Sequence, residues 1–357
     1  MIKTLKKLKH NDQIGIISLS SGLLGEKSCQ HQVKLGIKRI KEMNLNPVFS
    51  KHCLSGLEYI DKNADKRAED LIELLNNNNI KAIVCAIGGF DTYRTLPYIL
   101  DSKINSEILR DNPKIFLGYS DTTINHLMFN KLGLSSFYGL AFITDLAELD
   151  RNMLPYHATA FDFMFKGKKK TYRPSKYWYK ERKDFSSKQI NIPRPKHKEQ
   201  YGYISIQGPK AFEGILVGGC LDSIDRICNS ENVEEHSINQ KYNLFTNKTN
   251  FENKILLLET SEEKPTPKEI NKMLKNLETT NCFSKLRAVI IGKPQDEAYL
   301  LEYIEIFKNF FKKYPNLSVV YNINIGHSYP KMMLALNNKI KVNINKQKIT
   351  TYWPKLK

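Results

Sequence analysis

At 357 residues the chain exceeds what one hydrophobic core usually serves, so two domains are expected, each with its own core and a cleft between them. No apolar run reaches the roughly 18 residues that span a bilayer, and residues 1–11 are lysine-rich without an apolar signal core, which excludes a membrane span and leads us to expect a cytoplasmic protein. Lys plus Arg outnumber Asp plus Glu by 55 to 37, a net +18 that suits a nucleic-acid binder, but the lysines accompany asparagine and isoleucine along the whole chain and so raise charge without building a patch.

In chain order, 12–20 (DQIGIISLS) reads as a strand, Ser20-Ser21-Gly22 as a turn, and 29–43 as a helix. An extended piece at 47–49 precedes a helix over 63–76, with Ala64, Ala68, Leu71 and Leu75 on one face. Residues 81–87 (KAIVCAI) are continuously apolar, as a strand covered on both faces must be, and run into Gly88-Gly89; a helix starts near Thr92. Residues 114–117 (KIFL) form another buried strand, ending at Gly118, followed by a helix over 121–132. This repeat predicts a parallel sheet with right-handed crossovers and a site at the strands' carboxyl ends.

Regular patterning stops over 166–201, and 166–198 concentrates basic residues, so we read it as a solvated interdomain segment. Beyond it, strands are expected at 211–217, 254–258, 288–291, 319–322 and 339–344, with helices at 221–228, 267–277 and 298–312. The fold class is therefore α/β: an N-terminal parallel-sheet domain (1–165), an interdomain loop (166–204) and a second, mixed α/β domain (205–357). The six cysteines are scattered without a C-x-x-C pair, so reduced thiols are expected, with neither disulfides nor cysteine-bound zinc.

Three strand ends carry candidate chemistry. In Gly118-Tyr119-Ser120-Asp121, glycine permits a strained turn and the following helix aims backbone N–H groups at Ser120, with the Asp121 N–H as an oxyanion donor. Thr122 stands where a nucleophile elbow usually has its second glycine, and a serine here is also a common helix cap. Gly88-Gly89 offers further accessible N–H groups. A serine nucleophile needs a histidine oriented by a carboxylate. His10, His31, His52, His197 and His236 lie in polar surroundings and read as surface residues, while His126 and His157 read as helix packing. His327 follows the apolar run 319–325 and Gly326, on a strand-end turn. Glu259 closes Ile255-Leu256-Leu257-Leu258, with Glu262 and Glu263 nearby reading as solvated.

Taken together, AIGGFDTYRTLPYI (86–99), PKIFLGYSDTT (113–123), EGILVGGCLDSI (213–224), ILLLETSEE (255–263) and NIGHSYPKMML (324–334) resemble the LD-carboxypeptidase family of serine peptidases, which includes the microcin self-immunity peptidases. The resemblance implies Ser120 as nucleophile, His327 as general base and Glu259 as its orienting partner. The implied oxyanion donors are the Asp121 N–H and that of Gly88 or Gly89. The site would be assembled across the domain interface without metal or cofactor, and the chain would pair into a homodimer.

The immunity type cleaves an amide joining a peptide's terminal aspartate to a modified adenylate and so confers antibiotic resistance. The murein type cuts cell-wall tetrapeptides. Chain length and the loop PSKYW (174–178) favour the first: Trp178 would stack on a base, and Lys176, Lys180 or Arg182 would meet a phosphate. Arg94 suits the second, as a partner for a substrate carboxylate. Cys220 stands where the family usually has asparagine. The expected partner is thus a small peptide-like substrate, with no membrane and no specific nucleic acid. A nonenzymatic nucleotide or nucleic-acid binder is the more distant alternative, which would show salt-sensitive binding.

Overall fold

A computed structural model describes residues 5–355; the start of the basic leader, residues 1–4, lies outside the described residues. The first strand, Gln13–Ile17 (QIGII), places β-branched side chains on a pleated surface and buries every residue after Gln13. Its neighbours are continuous apolar runs, as coverage on both faces requires: Ile80–Cys85 is buried except at Lys81, and Ile115–Gly118 entirely. With three more strands they form a six-stranded sheet ordered Leu334–Leu336, Ser136–Tyr138, Ile115–Gly118, Ile80–Cys85, Gln13–Ile17, Asn46–Phe49. All pairs are parallel except Leu334–Leu336 against Ser136–Tyr138. Helix Ala64–Asn76 buries the predicted face, Ala64, Ala68, Leu71 and Leu75. The chain's second and third strands lie on opposite sides of the first, a switch that opens a crevice at the carboxyl ends.

The second sheet has eight strands. Its centre is parallel, in the order Ala211–Cys220, Lys254–Glu259, Ala288–Gly292, Ser318–Ile323. Antiparallel strands flank it: Asn338–Asn343, Lys348–Tyr352 and Lys169–Tyr172 on one side, Ile204–Gln207 on the other. The expected strand and helix alternation is present in both halves, a parallel-sheet α/β part followed by a mixed one.

Three departures from expectation have physical causes. Within 166–201, Lys169–Tyr172 joins the second sheet, and Tyr177–Tyr179 pairs with Lys196–Lys198. These strands are short and largely solvent-facing, so no apolar alternation marks them. Helix Val233–Tyr242 buries only Asn239 and Tyr242, too little to form a readable stripe. Leu334–Leu336 returns from the second half to edge the first sheet, which interlocks the two parts just past His327. Among the described residues no helix is long and apolar enough to cross a membrane, and all six cysteines are free and buried.

Candidate active site

Neighbouring strand ends of the first sheet converge on Ser120. The strand Ile115–Gly118 empties through Tyr119 into the short turn Ser120–Thr122, where Ser120 has φ of 63°. A non-glycine residue held there stores strain of about 1–3 kcal/mol, so the surroundings must over-determine it. They do so from both flanks. The Ser120 N–H donates to the Tyr138 hydroxyl at 3.2 Å. The buried Asp121 carboxylate accepts from Ser20 Oγ at 2.5 Å and the Thr92 N–H at 2.9 Å on one oxygen, and from Arg226 Nη2 at 2.6 Å on the other. Arg67, fully buried, bonds the Leu19 and Ser20 carbonyls and pairs with Asp91.

Gly88 packs directly on the serine. A Cβ at this position would lie 2.7 Å from Ser120 Cβ, 2.8 Å from Oγ and 3.4 Å from the Asp121 nitrogen. Only glycine leaves the space beside both groups open.

The second sheet supplies the base and its partner from adjacent strand ends. Glu259 ends Lys254–Glu259 and is buried. Its Oε2 lies 2.8 Å from His327 Nδ1 and accepts the His327 backbone N–H at 3.2 Å, while Oε1 accepts from the Tyr138 hydroxyl at 2.5 Å. The close approach depends on Gly326, at φ of 84°, where a Cβ would fall 2.1 Å from Glu259 Oε2. Tyr138 thus touches both the Ser120 nitrogen and Glu259, bridging the two sheets. The Tyr119 ring meets His327 edge-on, centroids 5.0 Å apart.

Glu262, which reads as solvated, has its side chain 51% exposed, yet its Oε2 sits 2.8 Å from His327 Nε2. Among the described residues, no hydrogen bond joins Ser120 Oγ to His327. Burial alone would lower the His327 pKa, but Glu259 and then Glu262 push it up to about 10. For Glu262 burial works upward and the His327 bond prevails, holding it at about 2. His327 is therefore an imidazolium clasped at both nitrogens. His126 and His157, by contrast, are driven down to about 4 by burial and held neutral in the core.

Ser120 and His327 open on one cavity of about 300 Å³, with Gly88, Gly89, Tyr119 and Glu262 also on its wall. A larger cavity, about 660 Å³, adjoins it through shared Ile87, Thr144 and Phe185. On the other flank a third, about 220 Å³, is lined by Ser120, Gly89, Cys220, Asp222, Arg226 and Glu262, among others.

The structure brings together Ser120, Asp121, Gly88, Gly89, Glu259 and His327. It places the other candidates elsewhere. Arg94 pairs with Asp91 at 2.9 Å and bonds the Asp61 carbonyl. Arg182 corrects the expectation of a phosphate contact: it is buried with its guanidinium on Glu148 at 2.7 Å and the Ile192 carbonyl, and Arg194 joins the same carboxylate. Trp178 stacks on His197 with centroids 4.3 Å apart, and Lys176 is exposed. None of these four lines the three cavities. From the basic segment it is Glu181 and Phe185 that reach the Ser120 cavity. His52 also differs from its reading as a surface residue, being buried 2.8 Å from Asp70. Sequence reasoning missed Tyr138, Arg226 and Glu262; of these only Glu262 carried a signal, its place three residues after Glu259.

Comparison with known proteins shows the family. Residues 14–139 match the LD-carboxypeptidase N-terminal domain and residues 213–342 the LD-carboxypeptidase C-terminal domain. An MccF-like protein from Streptococcus pneumoniae, solved in complex with AMP, is 42% identical, covers 96% of this chain and 98% of its own, and superposes with a TM-score of 0.91. The microcin C7 self-immunity protein MccF of Escherichia coli is 24% identical over 80% of this chain and 77% of its own length. A probable murein peptide carboxypeptidase of Bacillus subtilis is 30% identical over 40% of this chain, a match that spans 41% of that relative.

Proposed function

Because the chain belongs to the LD-carboxypeptidase family, with MccF-like relatives over nearly its whole length, we propose that it is a serine amidase cleaving the bond between an amino acid or peptide and a nucleotide. Membership makes it a hydrolase of the carboxypeptidase type; the triad and the substrate are our reading. One observation carries it: Ser120 and the Glu259-paired His327 come from different sheets and open on one cavity beside Gly88 and Gly89.

In this mechanism Ser120 Oγ attacks the amide carbonyl carbon while His327 Nε2 takes the hydroxyl proton. The negative charge on the carbonyl oxygen falls near the Asp121 N–H and the N–H of Gly88 or Gly89. Collapse breaks the C–N bond as His327 returns its proton to the leaving nitrogen. Water, deprotonated by the same histidine, then releases the acyl group. Glu259 holds Nδ1 and stabilises the imidazolium, and Tyr138 holds Glu259. Nε2 can do this only after leaving Glu262.

Support for a nucleotide comes from the S. pneumoniae relative solved with AMP and from the 660 Å³ cavity joined to the Ser120 cavity, which gives a two-part substrate room. In this reading Trp178 and Lys176, which line neither cavity, reach the base and the phosphate only when the loop at 166–204 moves toward the bound nucleotide and His197 gives way. The murein tetrapeptide reading draws on the B. subtilis relative. It loses support where Arg94, its carboxylate anchor, is already paired with Asp91. The same reading carries domains at 1–165 and 205–357 around a loop at 166–204, a homodimer in the cytoplasm, and immunity to peptidyl-nucleotide antibiotics. Purified protein offered aspartyl sulfamoyl adenosine and a murein tetrapeptide should consume the first, followed by mass spectrometry. Cleavage of the tetrapeptide alone would reverse the assignment.

A further inference from the structure

Cys220 ends the strand Ala211–Cys220 and, in parallel register, stands opposite Glu259 on the neighbouring strand. His327 arrives at the same place from the turn after Ser318–Ile323. One ligand atom from each of the three, a thiol sulfur, a carboxylate oxygen and a ring nitrogen, lie within 4.8 Å of one another, and all three residues are buried. We propose that Cys220, Glu259 and His327 form a binding site for a soft divalent cation of the Zn²⁺ or Cd²⁺ class, and that its occupancy withdraws His327 from catalysis.

The donor set favours this class of ion. Sulfur, nitrogen and a single oxygen suit zinc and cadmium, whereas magnesium and calcium require oxygen ligands. Tetrahedral zinc with bonds of about 2.0–2.3 Å sets its ligand atoms roughly 3.3–3.7 Å apart, so three atoms within 4.8 Å of one another need close by no more than about 1.5 Å. Outer support is present: the Tyr138 hydroxyl fixes the other Glu259 oxygen, and Asp222 lies beside the Cys220 sulfur at 3.8 Å. Two of the donors are reached from the crevice: Cys220 lines the 220 Å³ cavity and His327 the 300 Å³ cavity, which meet at Ser120, Gly89 and Glu262.

The sequence reading expects no cysteine-bound zinc because it looks for closely spaced cysteines; here the ligands come from three strand ends far apart in the chain. The site depends on the cysteine at 220, since the asparagine that the family resemblance implies there has no thiolate to offer. Binding sends the thiol proton and the Nδ1 proton to solvent and replaces the Glu259 contact that orients the imidazole. The site itself stands on geometry alone; its inhibitory effect rests on His327 being the base.

The test uses the full chain, stripped with chelator and titrated with Cd²⁺ while the ultraviolet thiolate-to-cadmium charge-transfer band is followed. The band should rise and saturate at one equivalent. It should persist in Cys29→Ser and vanish in Cys220→Asn, with Cys220→Ser as the second variant if the first fails to fold. Calorimetric affinity for Zn²⁺ should fall in these variants by more than the roughly 10- to 100-fold that losing an outer-shell partner costs. A wild-type protein without the band, or a band that survives in Cys220→Asn and Cys220→Ser, overturns the site. Zn²⁺ should also suppress hydrolysis, reversibly by EDTA, in the wild type and not in the Cys220 variants. A saturating band with hydrolysis untouched keeps the site and overturns His327 as the base.

Discussion

Ser120 and His327 face the same cavity but are held by different materials. At the serine itself the contacts are backbone, a residue at φ of 63°, an abutting glycine, and N–H groups at the start of a helix, with the Asp121–Arg226 ion pair buried behind them. The histidine side is made of charge: Glu259 on one nitrogen, Glu262 on the other. The serine turn is held by backbone and by buried partners, whereas the clasp on His327 Nε2 depends on a half-exposed carboxylate. The nucleophile is therefore preorganised, and the base is the element that must change state before it can work.

The largest effect tests the serine side outright. Ser120→Ala should reduce kcat by about 10⁶-fold, the scale seen when a triad nucleophile is removed, with an unchanged circular dichroism spectrum. Retained hydrolysis would reassign the nucleophile and leave the nonenzymatic binder standing. Gly88→Ala comes next. Its methyl would lie 2.7 Å from Ser120 Cβ, and the displaced donors should cost roughly 10²- to 10³-fold in kcat with little change in KM, the scale of losing an oxyanion contact. An equal loss in KM would mean that Gly88 shapes substrate binding instead.

The same contrast explains how much was legible in the sequence. Ser120, Glu259 and His327 each end an apolar run, and strand ends are where a doubly wound sheet presents chemistry, so pattern and site coincide. The parallel strands were readable for the same reason. Tyr138 was not: it ends a three-residue strand, and its role exists only because two sheets meet at its hydroxyl. Arginines misled in the opposite direction. In a polar stretch an arginine looks alike whether it faces solvent or a buried carboxylate, and Arg182 turned out to share Glu148 with Arg194. Of the thirteen basic residues at 166–198, Arg182 and Arg194 are in this way withdrawn from a ligand, while nearly all the others remain exposed.

The smallest predicted effect bears on the charged side and on Glu262. A protonated imidazole cannot accept the Ser120 proton, so kcat/KM should climb with pH until His327 deprotonates. Glu259 and Glu262 hold that point high, at about 10. Glu262→Gln keeps shape and removes one charge, so the rising limb should move to lower pH. A shift of about one unit would raise activity near neutrality about tenfold. Stability moves the other way, within a defined window. The His327 contribution is complete below its ordinary 6.5 and is lost as pH rises through about 10; that of Glu262 is complete above its ordinary 4.5 and lost as pH falls through about 2. The melting temperature of the wild type should therefore exceed that of Glu262→Gln most between pH 4.5 and 6.5, and the difference should close toward either extreme. A limb that does not move, with melting curves that coincide at every pH, would mean that Glu262 leaves His327 in solution and that the base is as preorganised as the serine.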